Sequence, residues 1–366
     1  MQTDVLIIGG GPAGLATAIA ARAKGFRVTV VDSRTPPINK ACGEGLLPEA
    51  VNALHGLGID LDPTVAIPFA GILFSDGDSS ASARFGCGTA FGLRRTALHR
   101  LLIHRANETG VSLLWGARVS SFDFAGARAN GNWIRCRWLI GADGQRSSVR
   151  KFARLEPRRR TRSRFGFRRH YAVAPWTDVV EVHWGERCEM VVTPTGAEEV
   201  CISFFTSDPH LRMDRALARF PEVAQRLQGT HPVSTQAGAV TSLDRAHAVA
   251  RGNIALVGDA SCTVDGIAGQ GMSLAFQQAL ALAEALGRED LAHYESAHRR
   301  ITQTAACITR LLLLMNASTA IRRKALRLFA ARPEVFAKII SIHAGELAPD
   351  ALGADILDLG WRILWA

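Results

Sequence analysis

The sequence has no long apolar run, which argues against a helix that crosses a bilayer. Near the C-terminus its longest uninterrupted apolar stretch covers residues 311–315, whereas a membrane span needs about 20 residues. Residues 1–4 contain no basic segment and lead directly into an apolar run at residues 5–8, so we expect no secretory signal. With 48% hydrophobic and 21% charged residues, the 366-residue chain can bury a large core, and its length favours two domains.

Cysteine pairs at metal-binding or redox spacing are also absent. The sequence has seven cysteines, an odd number, and no two of them form a C-x-x-C pair. A disulfide framework and a metal site therefore have no support, and a reducing cytoplasm is the expected location. The cysteines are Cys42, Cys87, Cys136, Cys188, Cys201, Cys262 and Cys307.

Lysine is scarce: it supplies only five of the 43 basic residues, although the net charge is +10. The densest basic run comprises Arg158, Arg159, Arg160, Arg162 and Arg164. A nucleic-acid surface would interleave such a run with aromatic residues. A solvated loop is therefore the favoured interpretation, and we expect no nucleic-acid partner.

A glycine fingerprint is present at the start of the chain. Gly9, Gly11 and Gly14 follow an apolar strand pattern at residues 4–8 and precede a helical pattern at residues 12–24. In this position the first glycine permits a tight turn, the second lets a diphosphate approach the backbone, and the third allows close helix packing. Asp32 ends the next predicted strand, where a carboxylate can accept hydrogen bonds from ribose hydroxyls. The pattern predicts a dinucleotide site.

The rest of the chain predicts an α/β protein with an insertion. Short β-type segments at residues 165–205, separated by proline and glycine, indicate an antiparallel sheet between α/β parts. A buried-strand pattern returns at residues 254–257, followed by a helical pattern at residues 275–286. From about residue 290 the sequence is helical, with breaks at Pro333 and Pro349.

Two further segments carry a family resemblance. Residues 141–150 (GADGQRSSVR) follow a predicted strand, and residues 254–260 (IALVGDA) precede Gly269, Gln270, Gly271 and Met272 at a helix start. With the N-terminal glycines these segments resemble, in the same order, the flavoprotein superfamily of p-hydroxybenzoate hydroxylase and geranylgeranyl reductase. The resemblance covers about residues 1–300. It implies a doubly wound FAD-binding domain, an inserted antiparallel-sheet substrate domain and a helical C-terminal cap.

The resemblance implies FAD as the tightly bound cofactor. Asp259 would bond the ribityl chain, the helix start at residues 269–272 would face the pyrimidine edge of the flavin, and Arg95 would lie beside the diphosphate. Adjacent Arg94 is the alternative for that last role. Asp143 belongs to a segment that the family uses to hold FAD. The implied FAD-binding residues are Gly9, Gly11, Pro12, Ala13, Gly14, Asp32, Ser33, Arg34, Cys42, Gly43, Arg95, Val119, Asp143, Gly258, Asp259, Gly269, Gln270, Gly271 and Met272.

The reaction is left open between two types. Because the chain has no second glycine fingerprint, NAD(P)H would bind transiently near the flavin. The leading hypothesis is an FAD-dependent monooxygenase that hydroxylates or epoxidises an apolar phenolic, polyketide or quinone-like molecule. The alternative is an ene-reductase of geranylgeranyl reductase type. The motifs fall between the two branches: Asp32 replaces the usual Glu, and residues 261–268 lack the hydroxylase His and Pro.

Several side chains have two interpretations each. Cys42 is either a reactive thiol or, as we favour, a small residue in a glycine-rich loop against the flavin. Arg169 and Tyr171 share one face of a predicted strand, and they either line the substrate site or stack internally. His170 and His183 could be acid–base groups, but structural roles are favoured. The sequence identifies no catalytic residue.

The expected domain plan assigns residues 1–155 to the FAD-binding domain, with an excursion into the substrate domain near residues 60–90. Residues 156–245 form the substrate domain, residues 246–300 complete the FAD-binding domain, and residues 301–366 form the cap. Residues 321–329 are amphipathic with a basic face, and Trp361 and Trp365 lie in the tail. Such a helix usually packs on its own domain. The functional alternative is peripheral contact with the anionic inner face of a membrane.

Overall fold

The computed structural model describes residues 1–157 and 163–353. Most of the arginine run and the tryptophan-bearing tail lie outside the described residues. The strands are β1 (Val5–Ile8), β2 (Val28–Asp32), β3 (Gly45–Leu46), β4 (Ile67–Phe69), β5 (Gly71–Ser75), β6 (Ser80–Arg84), β7 (Ala90–Gly92), β8 (Ser112–Trp115), β9 (Val119–Asp123), β10 (Gly126–Ala129), β11 (Asn132–Arg135), β12 (Trp138–Gly141), β13 (Arg164–Tyr171), β14 (Val180–Gly185), β15 (Cys188–Gly196), β16 (Glu199–Thr206), β17 (Ala237–Thr241), β18 (Ala250–Arg251) and β19 (Ile254–Leu256). The α-helices are α1 (Pro12–Ala23), α2 (Pro48–Gly56), α3 (Arg95–Glu108), α4 (Ser148–Phe152), α5 (Met213–Leu217), α6 (Pro221–Arg226), α7 (Gly271–Gly287), α8 (Leu291–Ala317), α9 (Thr319–Ala331) and α10 (Pro333–His343).

A six-stranded sheet forms the centre of the first part. Its strand order is β18-β19-β12-β1-β2-β8, and the five strands from β19 to β8 run parallel. Every residue of β1 is buried, which explains why this strand is apolar throughout rather than alternating. β1 lies between β12 and β2, where Val5 pairs with both Trp138 and Val28. The glycine loop therefore leaves the sheet at its middle, at the carboxyl end of the strands.

Helices α1 and α7 pack against each other beside this sheet, and a small sheet of β9, β10 and β11 completes the same core. Helix α7 is close-packed because alanines and leucines cover most of its surface. Phe276 and Leu282 are fully buried in it. Helix α1 follows β1 at its carboxyl end, whereas α7 follows β19 after two short 3-10 turns at Gly258–Ala260 and Gly266–Ala268.

A seven-stranded sheet forms the second part. Its order is β17-β13-β16-β15-β14-β5-β6, with antiparallel pairing except between β14 and β5. Strands β5 and β6 therefore join this sheet from the first third of the chain, in the region expected to make the excursion. The parallel pairing of β5 with β14 is possible because no hairpin joins these two strands.

The C-terminal helices cover one face of this second sheet. The helical pattern breaks at Ser318 as well as before Pro333; Ser318 accepts a hydrogen bond from the backbone N–H of Ile321 and starts α9. The apolar face of α9 packs into a core with β5, β6 and β14, so the favoured interpretation of its amphipathic pattern holds. Among the described helices none alone is long and apolar enough to cross a membrane; α8 and α9 together pass that test by length and composition but are bent by 119°.

Candidate functional site

The glycine loop has the geometry that its sequence predicts. Gly9 has a φ of +112°, which an L side chain rarely adopts, and a Cβ on Gly14 would lie 1.9 Å from the carbonyl oxygen of Gly9. A Cβ on Gly11 would instead meet nothing within 4 Å. The turn therefore requires Gly9, close packing requires Gly14, and Gly11 borders open space at the start of α1.

That open space is a cavity of about 890 Å³ between the two sheets. It collects most of the residues that the sequence predicts to bind FAD. The predicted residues in its wall are Gly9, Gly11, Pro12, Ala13, Asp32, Ser33, Arg34, Cys42, Gly43, Arg95, Val119, Asp143, Gly258, Asp259, Gly269, Gly271 and Met272. Gly14 packs behind the wall, and Gln270 is buried with its Nε2 donating to the carbonyl oxygen of His343.

Asp32 lies in the cavity wall, where its carboxylate also organises the backbone. Its Oδ2 accepts a hydrogen bond of 2.8 Å from the N–H of Gly10, and its Oδ1 accepts one of 2.8 Å from the N–H of Arg34. Each carboxylate oxygen can accept more than one hydrogen bond. The shorter Asp side chain therefore fixes the glycine loop, and binding of ribose by its remaining lone pairs stays a prediction.

Asp143 supports the cavity in a way that the sequence did not predict. Its carboxylate accepts hydrogen bonds from the backbone N–H of Ser148 at 2.6 Å and from the Ser147 hydroxyl at 2.5 Å. It therefore caps the start of α4 and holds the segment after β12 against the cavity.

The structure distinguishes the two candidate arginines. Arg94 forms a bidentate pair with Glu199, so its guanidinium is already neutralised. Arg95 lies in the cavity wall, and its buried Nε has no hydrogen-bond partner among the described residues. A buried, unpartnered guanidinium nitrogen fits an anionic group in the cavity. Of the two, Arg95 is the residue placed to meet a diphosphate.

The opposite end of the cavity is built around the start of α7. A Cβ on Gly269 or Gly271 would meet no atom within 4 Å, so both glycines border open space. The first N–H groups of the helix have no intrahelical acceptor. Asp259 accepts a hydrogen bond of 2.7 Å from Lys40, which comes from the loop after β2. Together with the open glycine cradle and Arg95, these groups fit the phosphates, ribityl hydroxyls and polar edge of FAD.

Beyond the glycine-lined region the cavity becomes apolar. Its walls come from the second sheet, strand β4, the turn before α7 and one residue of α8. These residues are Phe69, Ile72, Phe74, Val180, Val182, Val191, Phe205, Ile267 and Leu312. An apolar ligand gains about 25 cal/mol for each Å² that it buries against such a surface. This part of the cavity, which we call the apolar chamber, is suited to a ligand with little charge.

Arg169 and Tyr171 face away from the cavity. Side chains alternate along β13, and Arg169 Nη1 donates a hydrogen bond of 2.8 Å to Asp214 of α5 while Tyr171 joins the core on that side. Burial raises the pKa of the Tyr171 hydroxyl. The structure thus does not bring these two expected substrate-lining residues to the apolar chamber. The other face of β13 carries Arg168 to the cavity wall and places His170 behind it, against Glu44.

Glu44, Arg168 and His170 form a buried polar cluster that the sequence did not predict. Glu44 Oε2 lies 2.5 Å from His170 Nε2, and Glu44 Oε1 accepts a hydrogen bond of 3.0 Å from the N–H of Arg95. Glu44 and Arg168 both lie in the cavity wall. The φ of Glu44 is +62°, an uncommon value for a residue with a side chain. Residues separated by more than 120 positions meet here, so sequence spacing offered no signal.

His343 is a further cavity residue that sequence reasoning missed. It ends α10 and lies in the cavity wall near the start of α7. Burial lowers the pKa of its imidazole to about 4, so the ring is neutral at physiological pH. The C-terminal helices therefore supply part of the cavity as well as its cover.

Three of the cysteines are thiols that burial makes weakly acidic. Burial raises the pKa of the Cys136 thiol to about 12 and that of the Cys262 thiol to about 11. It also holds the pKa of the Cys201 thiol well above its usual range. Cys42 lies in the cavity wall, and its Sγ accepts a long hydrogen bond of 3.4 Å from the N–H of Glu44. Its position in the glycine-rich loop agrees with the packing interpretation.

Comparisons with known proteins identify the same cofactor. A family model described as FAD binding domain matches residues 2–304. A menaquinone reductase of Mycobacterium tuberculosis is 27% identical over 319 residues, which cover 80% of this chain and 78% of that protein. A rifampicin monooxygenase of Rhodococcus hoagii is 30% identical over 161 residues, or 41% of this chain and 33% of that protein.

A solved structure, a flavoprotein/dehydrogenase from Cytophaga hutchinsonii, has the same fold. It superimposes with a TM-score of 0.79 at 19% identity and covers 96% of this chain and 94% of its own. The resemblance predicted from the sequence, the fold class and FAD as cofactor are thereby confirmed.

Proposed function

The chain belongs to the FAD binding domain family, and from this premise we propose that it is an NAD(P)H-using monooxygenase of an apolar small molecule. It is an FAD-dependent oxidoreductase of the flavoprotein monooxygenase and hydroxylase superfamily. The substrate would be a phenolic, polyketide or quinone-like compound that is hydroxylated or epoxidised. The observation that carries the proposal is the apolar chamber, which continues directly from the glycine-lined part of the cavity.

One group of residues would hold the cofactor, and the apolar chamber would hold the substrate. Arg95 and the N-terminus of α1 would bind the diphosphate, and Lys40 and Asp259 would lie beside the ribityl region. FAD supplies the redox chemistry when bound, accepting two electrons and delivering them to dioxygen. The N-terminal end of α7 favours negative charge near it. It would therefore stabilise the negative charge that reduction places on the pyrimidine edge of the flavin.

The apolar chamber would orient the substrate and keep bulk water away from the reacting atoms. Phe74, Val182 and Leu312 offer no hydrogen bonds, so a substrate there would be held by shape and burial. In the balanced reaction, dioxygen gives one oxygen atom to the substrate and one to water. The reductant supplies two electrons and a proton, and solvent supplies the second proton. A single glycine fingerprint in the sequence supports transient binding of the reductant.

The test follows substrate-dependent oxidation of NADPH and NADH by the purified holoprotein. Alkylphenols and naphthoquinones of increasing chain length serve as probes, with product mass measured under ¹⁸O-labelled dioxygen. The expected result is one labelled oxygen atom in the product and no product without dioxygen. A product that gains two hydrogens and forms equally well without dioxygen would overturn the proposal.

One comparison favours a second candidate, reduction of the substrate itself. The menaquinone reductase matches 80% of this chain, about twice the share matched by the rifampicin monooxygenase. A quinone-type molecule with an apolar tail would suit the apolar chamber equally well. The anaerobic arm of the same experiment, run with a menaquinone, tests this candidate and the related ene-reduction of isoprenoid or polyene double bonds.

A further inference from the structure

The pair formed by Glu44 and His170 is sealed inside the wall of the FAD cavity. The two side chains are 0% and 2% exposed, and Glu44 Oε2 lies 2.5 Å from His170 Nε2. On its other side, His170 Nδ1 lies 2.8 Å from the hydroxyl oxygen of Ser234, a residue that is partly exposed. A continuous line of hydrogen bonds therefore runs from the protein surface to the cavity wall.

The neighbouring donors define how the protons are arranged in this line. Arg168 Nη1 lies 3.3 Å from His170 Nδ1, and a guanidinium can only donate. The Ser234 oxygen accepts a hydrogen bond of 3.0 Å from the His170 backbone N–H, so its own hydrogen is free to point at Nδ1. His170 Nδ1 is therefore the acceptor, and Nε2 carries the proton that it donates to Glu44.

We propose that Glu44 is a proton donor to the FAD cavity and that His170 and Ser234 resupply it from solvent. In one transfer the Ser234 hydroxyl gives its proton to His170 Nδ1, and His170 Nε2 gives its proton to Glu44. Glu44 then gives a proton into the cavity, and Ser234 regains one from water. Each O–H or N–H bond that breaks is matched by one that forms: the proton that Glu44 releases ends on the peroxide formed from dioxygen in the cavity, and the water that reprotonates Ser234 is left as hydroxide at the surface. The transfer leaves the His170 proton on Nδ1, so the ring returns to the Nε2–H tautomer before it carries the next proton.

The charged groups around the pair favour a mobile proton over a fixed metal ion. Glu44, His170 and Cys201 offer atoms within 4.8 Å of one another, as metal ligands would. However, Arg168 Nε lies 3.3 Å from Glu44 Oε1 and places a cation there already, and the Cys201 thiol is protonated because burial raises its pKa. The pair Arg94 and Glu199, which also faces the cluster, adds no net charge.

The cavity has a chemical need for such a donor. Two-electron reduction of dioxygen to hydrogen peroxide takes up two protons, and an anionic reduced flavin carries only one of them. The apolar chamber supplies none, because its side chains have no acidic hydrogen. The proposal rests on FAD binding in the cavity and is independent of whether the physiological reaction is an oxygenation or a reduction.

The first experiment measures reoxidation of the photoreduced holoprotein by dissolved dioxygen without any substrate. Glu44→Gln is expected to slow reoxidation at least about tenfold above neutral pH. Added formate is expected to restore the reoxidation rate of this variant, since a small acid can replace a missing proton donor. Ser234→Ala is expected to slow it less but in the same pH range. His183→Gln is the matched control, because His183 forms a comparable buried pair with Glu181 at 2.8 Å outside the cavity wall; its profile should equal that of the wild type.

The second experiment needs no cofactor. Imidazole nitrogen resonances of His170 in flavin-free protein are expected to show a protonated Nε2 and an accepting Nδ1, and Glu44→Gln should alter this tautomer while His183→Gln should not. An unchanged pH profile without formate rescue in Glu44→Gln would overturn the proposal. If that variant retains no FAD, an unchanged profile in Ser234→Ala overturns it. Failure to oxygenate any probe would count against the proposed function alone.

Discussion

Arg164 Nη1 donates a hydrogen bond of 2.9 Å to Asp265 Oδ1, and this contact joins the seven-stranded sheet to the turn that precedes α7. The same guanidinium pairs with Glu189, which is fully buried. Asp265 Oδ1 also accepts the N–H of Ile267 at 3.2 Å, so one carboxylate shapes the turn and anchors it. The start of α7, which borders the cavity, is thus positioned by the seven-stranded sheet.

Glu189 predicts a specific pH dependence of stability. Burial and the nearby Asp265 raise the pKa of its carboxyl to about 7 against the pull of Arg164. Because the folded state holds this proton more tightly than the unfolded state, the contribution of Glu189 is greatest below pH 4.5 and falls as the pH rises to about 7. The free energy of unfolding of Glu189→Gln, relative to the wild type, should therefore increase across this range in urea titrations.

Glu199→Gln is the contrasting control. The pairing of Glu199 with Arg94 lowers its pKa, outweighing partial burial. Its stabilising contribution is present above about pH 4.5 and is lost as the pH falls, so the wild type should lose its advantage over Glu199→Gln in acid. If the free energies of unfolding of the two variants, relative to the wild type, changed with pH in the same direction, both pKa assignments would be contradicted.

Gly11→Val should abolish FAD binding while leaving the fold intact. A side chain at this position enters open cavity space rather than the protein core, and it would occupy the place where the backbone meets a diphosphate. The ratio of flavin to protein absorbance in purified protein measures occupancy, and circular dichroism checks the fold. The wild type should be yellow and release FAD, not FMN. Full flavin occupancy in the variant would refute the predicted cradle.

Arg95→Ala should weaken FAD binding, whereas Arg94→Ala should leave it near the wild-type value. Of these two arginines, Arg95 borders the cavity and has an Nε without a hydrogen-bond partner among the described residues, while Arg94 is engaged by Glu199. Loss of one charge-assisted hydrogen bond costs about 1.5–3 kcal/mol, or roughly tenfold to a hundredfold in Kd. Fluorescence titration of the flavin-free proteins measures this, and equal losses in the two variants would contradict the assignment.

Contact of the C-terminal helices with an anionic membrane surface stays a prediction. On α9 the apolar face is packed inward and Arg323 pairs with Asp78, so Lys324 and Arg327 are the exposed cations that this helix offers for such contact. Each adds about 1 kcal/mol near such a surface, screened by salt. Sedimentation with acidic liposomes at low salt should bind the wild type and bind Lys324→Glu/Arg327→Glu more weakly. Absence of wild-type binding would end the proposal.

The sequence alone determined the cofactor end of this protein. The turn at Gly9, the helix packed on Gly14 and the acidic residue at the end of β2 are local features, since each depends on neighbours a few positions away and on the strand–turn–helix that surrounds it. The start of α7 is also a local feature, because Gly269 and Gly271 mark it in the sequence. The choice between Arg94 and Arg95 could not be made locally, because it depends on Glu199 arriving from β16.

The tertiary structure alone decided which side chains lie near the apolar chamber and its polar wall. Which face of β13 meets the cavity depends on sheet register, so Arg169 and Tyr171 face α5 while Arg168 and His170 face Glu44. His343 reaches the cavity only because the C-terminal helices fold back over the second sheet. The burial, hydrogen-bond partners and orientation of these side chains depend on contacts between segments that are distant in the chain. A local sequence pattern does not predict such contacts.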